Sequence, residues 1–80
     1  MSSWHVYILE CADGSLYTGV TTDLSRRLKM HAGGTASKYT RARLPVALRW
    51  SARALSRSAA LKREAAIKKL SREEKMRLIE

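Results

Sequence analysis

Three groups of residues in this 80-residue chain have types and spacings suited to chemistry. Arg27 and His31 stand four apart in a stretch with helical patterning, so both side chains reach one spot. A neutral histidine forms no salt bridge with an arginine, but the two together face a phosphate well. The plainer alternative is a half-buried helix histidine. Glu64 sits on the inward stripe that Ala60, Leu61 and Ile67 would form on a later helix. A carboxylate there is costly unless something compensates it. The pattern alone favours an ion pair with one of the many arginines, and the competing reading is a metal ligand inside a basic cleft. Tyr7 and Tyr17, ten apart, either pack across strands with hydroxyls at a sheet edge or share a site.

The charge around these residues suggests what they face. Sixteen Lys and Arg against seven Asp and Glu give a net charge of +9. Asp23 and Glu64 bracket forty residues without an acid, and that stretch holds eleven of the basic side chains. Such a segment repels itself, and its natural partner is a polyanion, nucleic acid before any other. A merely solvated basic surface is the alternative. An anionic membrane surface fits less well, because the cations are not gathered on one amphipathic helix.

The elements that must position these groups follow from patterning. Trp4–Glu10 and Leu16–Thr21 read as strands joined at Asp13-Gly14. A helix starts after Thr22 or Asp23 and stops at Gly33-Gly34. Residues 35–45 read as a loop with room for one short helical turn. Val46–Ser51 reads as a third strand, and Ser56 caps a helix running to about Leu70. Ser71-Arg72-Glu73-Glu74 is a capping box that opens a last helix, Arg72–Ile79. The order β-β-α-β-α-α is that of an α+β fold, with residues 1–80 as a single domain.

The hairpin decides whether the tyrosines meet. A two-residue loop pairs positions i + j = 27 and puts Tyr7 and Tyr17 on opposite faces. A three-residue loop with Gly14 left-handed pairs i + j = 26 and puts both on one face. A shared site requires the second.

Several function classes drop out. No apolar run approaches the length of a membrane span. The start Met1-Ser2-Ser3-Trp4 has neither a basic nor a long apolar region, which argues against secretion and makes the cytoplasm the expected compartment. The lone Cys11 forms no intrachain disulfide and no metal cluster. A protein-interaction adaptor gains little support, since no large exposed apolar stripe is evident.

Val6-Tyr7-Ile8 followed by Tyr17-Thr18-Gly19 resembles the paired signature of the GIY-YIG nuclease superfamily. The resemblance continues through Asp23-Leu24-Ser25-Arg26-Arg27-Leu28, His31 and the isolated Glu64, covers nearly the whole chain, and is nearest to the small stand-alone bacterial members. It implies a three-stranded antiparallel sheet flanked by helices and a divalent-metal-dependent endonuclease site. By that resemblance Tyr7 and Tyr17 match the motif tyrosines, Arg27 the catalytic arginine and Glu64 the metal-binding carboxylate. His31 matches a position held by histidine or tyrosine. Val6 and Thr18 depart from the signature, and Val20 stands where the excision-repair incision nuclease carries a lysine, for which Lys38 is the candidate substitute. Likeness to that nuclease also suggests a DNA-repair setting.

The implied chemistry is coherent. One Mg²⁺ (or Mn²⁺) on Glu64, completed by waters and substrate phosphate, suits a hard cation. Arg27 would clamp the phosphate, and a tyrosine would assist water attack. Which tyrosine acts as base is open at this level. Arg26, Lys29, Lys38, Arg41 and Arg43 are the expected nucleic-acid contacts, with DNA favoured over RNA. Tyr7, Tyr17, Arg27, His31 and Glu64 are expected to converge on one concave site on one face of the sheet. The competing function is a non-catalytic nucleic-acid-binding module, and monomer and homodimer stay equally open.

Overall fold

Gly14 sets the register of the first hairpin. Its φ of +84° is a conformation that glycine adopts without strain, and its N–H closes the turn on the Cys11 carbonyl at 2.9 Å. Cys11 N–H then donates to Ser15 O at 2.8 Å, leaving Ala12-Asp13-Gly14 as a three-residue loop. The computed structural model describes residues 3–80. Met1 and Ser2, on which the reading against secretion partly rests, lie outside the described residues.

The hairpin joins β1 (Trp4–Glu10) to β2 (Leu16–Thr21), which pair antiparallel with Tyr7 opposite Gly19 and Leu9 opposite Tyr17. This is the i + j = 26 register, so the two tyrosines share a face. β3 (Ala47–Ala54) pairs antiparallel with the other edge of β1, giving the order β2-β1-β3. It is longer at its C-terminal end than the expected Val46–Ser51. Ala52 and Ala54 lie opposite Val6 and Trp4, and small side chains there let the ladder continue despite weak strand propensity.

Four helices complete the order β-β-α-α-β-α-α. α1 (Leu24–Ala32) is capped by Asp23, whose side chain accepts from Arg26 N–H. α2 (Lys38–Arg41) is the short turn inside the expected loop, capped by Ser37. α3 (Arg57–Lys68) starts at the Ser56 cap, and α4 (Arg72–Ile79) starts at the expected capping box of Ser71 and Glu74. Among the described residues no helix is long and apolar enough to cross a membrane.

Because side chains alternate along β1, its two faces have different partners. Val6 and Ile8 bury against Ala60 and Ile67 of α3, with Trp4, Val20, Trp50 and Leu78 around them. Tyr7 and Leu9, both fully buried, point to the opposite face. Leu61, expected on the inward stripe, is 38% exposed. At roughly 100° per residue it lies a quarter-turn from the Ala60–Ile67 line, whereas Glu64 lies only about 40° from Ala60.

Candidate active site

The Tyr7 phenol runs across β2, where Gly19 makes room for it. A Cβ at position 19 would stand 2.5 Å from Tyr7 Oη and 2.7 Å from its Cζ. The second motif therefore needs glycine for the first motif's tyrosine to lie flat on the sheet. At the end of that path Tyr7 Oη meets His31 Nε2 at 2.9 Å. His31 is fully buried, and its Nδ1 is 2.9 Å from Thr40 Oγ1 of α2. Thr40 is buried as well and reaches Ser37 in turn.

Tyr17 completes the cluster. The His31 ring packs edge-on to both tyrosines, with centroids 5.7 Å from Tyr7 and 5.3 Å from Tyr17. The two tyrosine rings are 6.5 Å apart. Tyr17 is only half-buried and stacks on Tyr39 at 6.0 Å. The Arg43 guanidinium lies 3.8 Å over the Tyr39 ring.

Burial sets the protonation of this group. It pushes the Tyr7 phenol up to about 12, helped by the neighbouring Tyr17 and opposed by the Arg27 guanidinium. Burial, and then the charge of Arg27, hold the His31 imidazolium below its ordinary range. Tyr7 and His31 are therefore a neutral pair at pH 7, and Arg27 is the cation beside both. Arg27 also lines a cleft of about 240 Å³ with Arg26, Met30, Thr21, Thr22 and Asp23.

Each expected residue has a definite place. Tyr7, Tyr17 and His31 are in mutual contact, and Arg27 stands close enough to act on Tyr7 and His31. His31 does not face a phosphate as its spacing from Arg27 suggested. Its ring has no exposed surface, and both nitrogens are taken by protein partners. Glu64 is carried on α3, whose Ala60 and Ile67 pack against Val6 and Ile8, and its charge acts on Tyr7. Its ion-pair partner is Lys68 Nζ at 3.3 Å, one helical turn on, rather than an arginine. The i,i+4 spacing on α3 puts the lysine within reach on the same helix face.

Among the basic residues, Arg26, Lys29, Lys38 and Arg41 are exposed and available to a polyanion. Arg43 is already engaged. Its Nε donates to Asp13 at 3.1 Å and its Nη1 to Tyr39 O at 2.9 Å. It ties the hairpin turn to α2. Neither Thr40 nor Tyr39 stood out in the sequence. Both lie in a basic, polar segment where only a cap at Ser37 would have marked a helical turn, and nothing local marks one threonine as buried.

Glu64 has a side-chain exposure of 19%, so it is neither sealed in the core nor free in solvent. Among the described residues no three His, Cys, Asp or Glu side chains gather into a metal-binding group. A lone carboxylate fits Mg²⁺ or Mn²⁺, which keep most of their water shell, and does not fit a zinc-type cage.

Comparison with known proteins agrees with this fold. The sequence model of the GIY-YIG catalytic domain matches residues 3–77. A UPF0213 protein of Streptococcus sanguinis is 52% identical over 75 residues, covering 94% of this chain and 86% of that protein. A UPF0213 protein of Halobacterium salinarum is 52% identical over 71 residues, covering 89% and 92%. The solution NMR structure of a UPF0213 protein from Bacillus halodurans superposes with a TM-score of 0.63 at 48% identity, covering 96% of this chain and 82% of that one. A second solution NMR structure, of a protein from E. faecalis, gives 0.66 at 43% identity, with 99% and 88% covered. Over residues 3–77, nearly its whole length, the chain belongs to the GIY-YIG catalytic domain family.

Proposed function

We propose that the protein is a divalent-metal-dependent endonuclease that hydrolyses phosphodiester bonds of nucleic acid, DNA in preference to RNA. The observation that carries this reading is the packed cluster of Tyr7, Tyr17 and His31 with Arg27 beside it, in a chain of net charge +9.

In this reading the tyrosines divide the work. Tyr7 is fully buried, neutral and hydrogen-bonded to His31, so it makes a poor base. Tyr17 is only half-buried on the same face, so it is assigned to orient the attacking water, whose proton its phenolate form, stabilised by cationic neighbours, would take. Arg27, with five N–H donors, clamps the non-bridging phosphate oxygens and steadies the charge that develops on them. Glu64 would hold a divalent cation after releasing Lys68, whose side chain is 57% exposed and free to swing away. Such a cation supplies Lewis-acid stabilisation of the phosphoryl and leaving oxygens. Arg26, Lys29, Lys38 and Arg41 supply sequence-independent attraction to the backbone.

The Lys68–Glu64 pair, together with Val20 in place of a lysine, favours one second reading, a non-catalytic binding module on the same fold. Cleavage of single-stranded, duplex, flap and branched substrates with Mg²⁺, Mn²⁺ or EDTA separates the two. Metal-dependent nicking supports the nuclease. Binding without cleavage in any metal supports the module. Either reading predicts electrostatic binding. With about five phosphates contacted, log K should fall with log[salt] at a slope near −4 to −5 on duplex DNA. A flat salt response would remove nucleic acid as the partner.

A further inference from the structure

The reading above leaves the buried Thr40 hydroxyl unused. Thr40 has no exposed surface, and its Oγ1 touches three groups: His31 Nδ1 at 2.9 Å, Ser37 Oγ at 3.2 Å and Ser37 O at 3.4 Å. A threonine hydroxyl has one proton to give, and a neutral imidazole has one N–H and one lone pair. Counting protons along the chain from Ser37 to Tyr7 therefore limits the arrangements to two.

In the first, Thr40 donates to Ser37 and accepts from His31 Nδ1–H. His31 Nε2 then carries a lone pair and accepts the Tyr7 O–H. In the second, Thr40 donates to His31 Nδ1, and His31 Nε2–H donates to Tyr7 Oη. The Tyr7 proton must then find another acceptor. Tyr7 is itself fully buried, and the cation beside its oxygen is Arg27, which has donors only. The second arrangement strands a buried O–H. It also leaves the Ser37 carbonyl contact of Thr40 without a proton. Every contact is satisfied in the first.

We propose that Thr40 is a positioning residue that fixes His31 as the Nδ1–H tautomer, commits the Tyr7 proton to His31 Nε2 and so leaves the Tyr7 lone pairs for Arg27. The partner on one ring nitrogen decides what the other can do, which is how outer partners tune ligating histidines. Here the effect passes along Thr40, His31 and Tyr7 to the guanidinium that would clamp phosphate. Thr40 touches no substrate. Its catalytic consequence rests on the nuclease reading, while its effect on the tautomer does not.

The test uses the whole chain. Long-range proton–nitrogen NMR of His31 in the wild type at neutral pH should show a protonated Nδ1 and an unprotonated Nε2. The opposite tautomer, or an average of the two, would overturn the proposal without any variant being made. Thr40→Val, which keeps the shape and removes the acceptor, should shift the ring toward Nε2–H. Thr40→Ser should keep the wild-type pattern. If Thr40→Val folds and leaves the tautomer unchanged, Thr40 does not set it and the proposal fails. In a cleavage assay Thr40→Val should lower kcat about 10-fold with KM little changed, and Thr40→Ser should restore it. A wild type that cleaves nothing contradicts the nuclease reading, and the tautomer then still decides for or against Thr40.

Discussion

On one face of β1, Val6 and Ile8 bury apolar surface against Ala60 and Ile67; on the other, Tyr7 buries a phenol against His31, whose second nitrogen meets Thr40. The residues alternate along a single strand, and each side is almost without exposed surface. The apolar face gains from every methylene removed from water and needs no directional contact. The polar face gains little net stability, because each hydrogen bond replaces one made with water. What it gains is a single arrangement, since a buried polar group left unpaired is costly. Among the described residues no buried side-chain nitrogen or oxygen lacks a partner. The apolar face holds the domain together, and the polar face holds one geometry.

The comparison breaks most visibly at Ile8. Replacing it by Ala should cost about 2–5 kcal/mol in urea unfolding, more than any single change in the Tyr7 network. A cost below that of Gly19→Ala would reverse the assignment of the two faces. Gly19→Ala places a Cβ at 2.5 Å from Tyr7 Oη, so the ring must shift off His31. We expect a loss of about 1–3 kcal/mol from overpacking, with cleavage falling further than stability accounts for. Unchanged activity would mean that the flat path of Tyr7 over β2 is irrelevant to the site.

The smallest effect is on pH, and it belongs to the polar face alone. Burial lowers the His31 pKa from 6.5, so below that pH the unfolded chain takes up a proton that the native ring resists. Stability is fully present above 6.5 and is lost as pH falls below it. Tyr7 goes the other way. Its phenol is raised from 10.0 to about 12, so its contribution is present below 10 and lost as pH rises through the folded value. Melting temperatures should therefore form a plateau between about 6.5 and 10. Tyr7→Phe should flatten the alkaline limb, and an unaltered limb would assign it to other groups.

The two faces also differ in how far the sequence revealed them. The alternation in Trp4–Glu10, the left-handed glycine after Asp13 and the caps Asp23, Ser56 and Ser71 are local signals, and the hairpin register and helix starts follow them. The motif residues were legible for the same reason, being spaced along a strand and a helix with clear periods. Thr40 was not, because its role depends on a four-residue turn folding back on a helix nine residues away in sequence. Arg43 illustrates the converse. As one cation in a basic run it read as a phosphate contact, yet Asp13, thirty positions earlier, engages it. Charge composition records how many cations a chain has and not which of them the fold has already used. Glu64 shows both limits at once. Its inward position was legible, but its ion-pair partner is Lys68, one turn along the same helix, and not one of the many arginines.

Glu64→Gln therefore tests the central claim most directly, with melting temperature, DNA binding and cleavage measured on the same preparation. An i,i+4 ion pair with an exposed lysine contributes about 0.3–0.5 kcal/mol, so the melting temperature should stay within about 4 °C of wild type. Metal-free binding should hold or tighten, because a negative charge near the phosphate path is gone. Metal-dependent cleavage should be abolished, because the cation loses its only protein carboxylate. A variant that cleaves as the wild type does would contradict the account. So would a large drop in melting temperature in a protein whose wild type cleaves nothing with any metal.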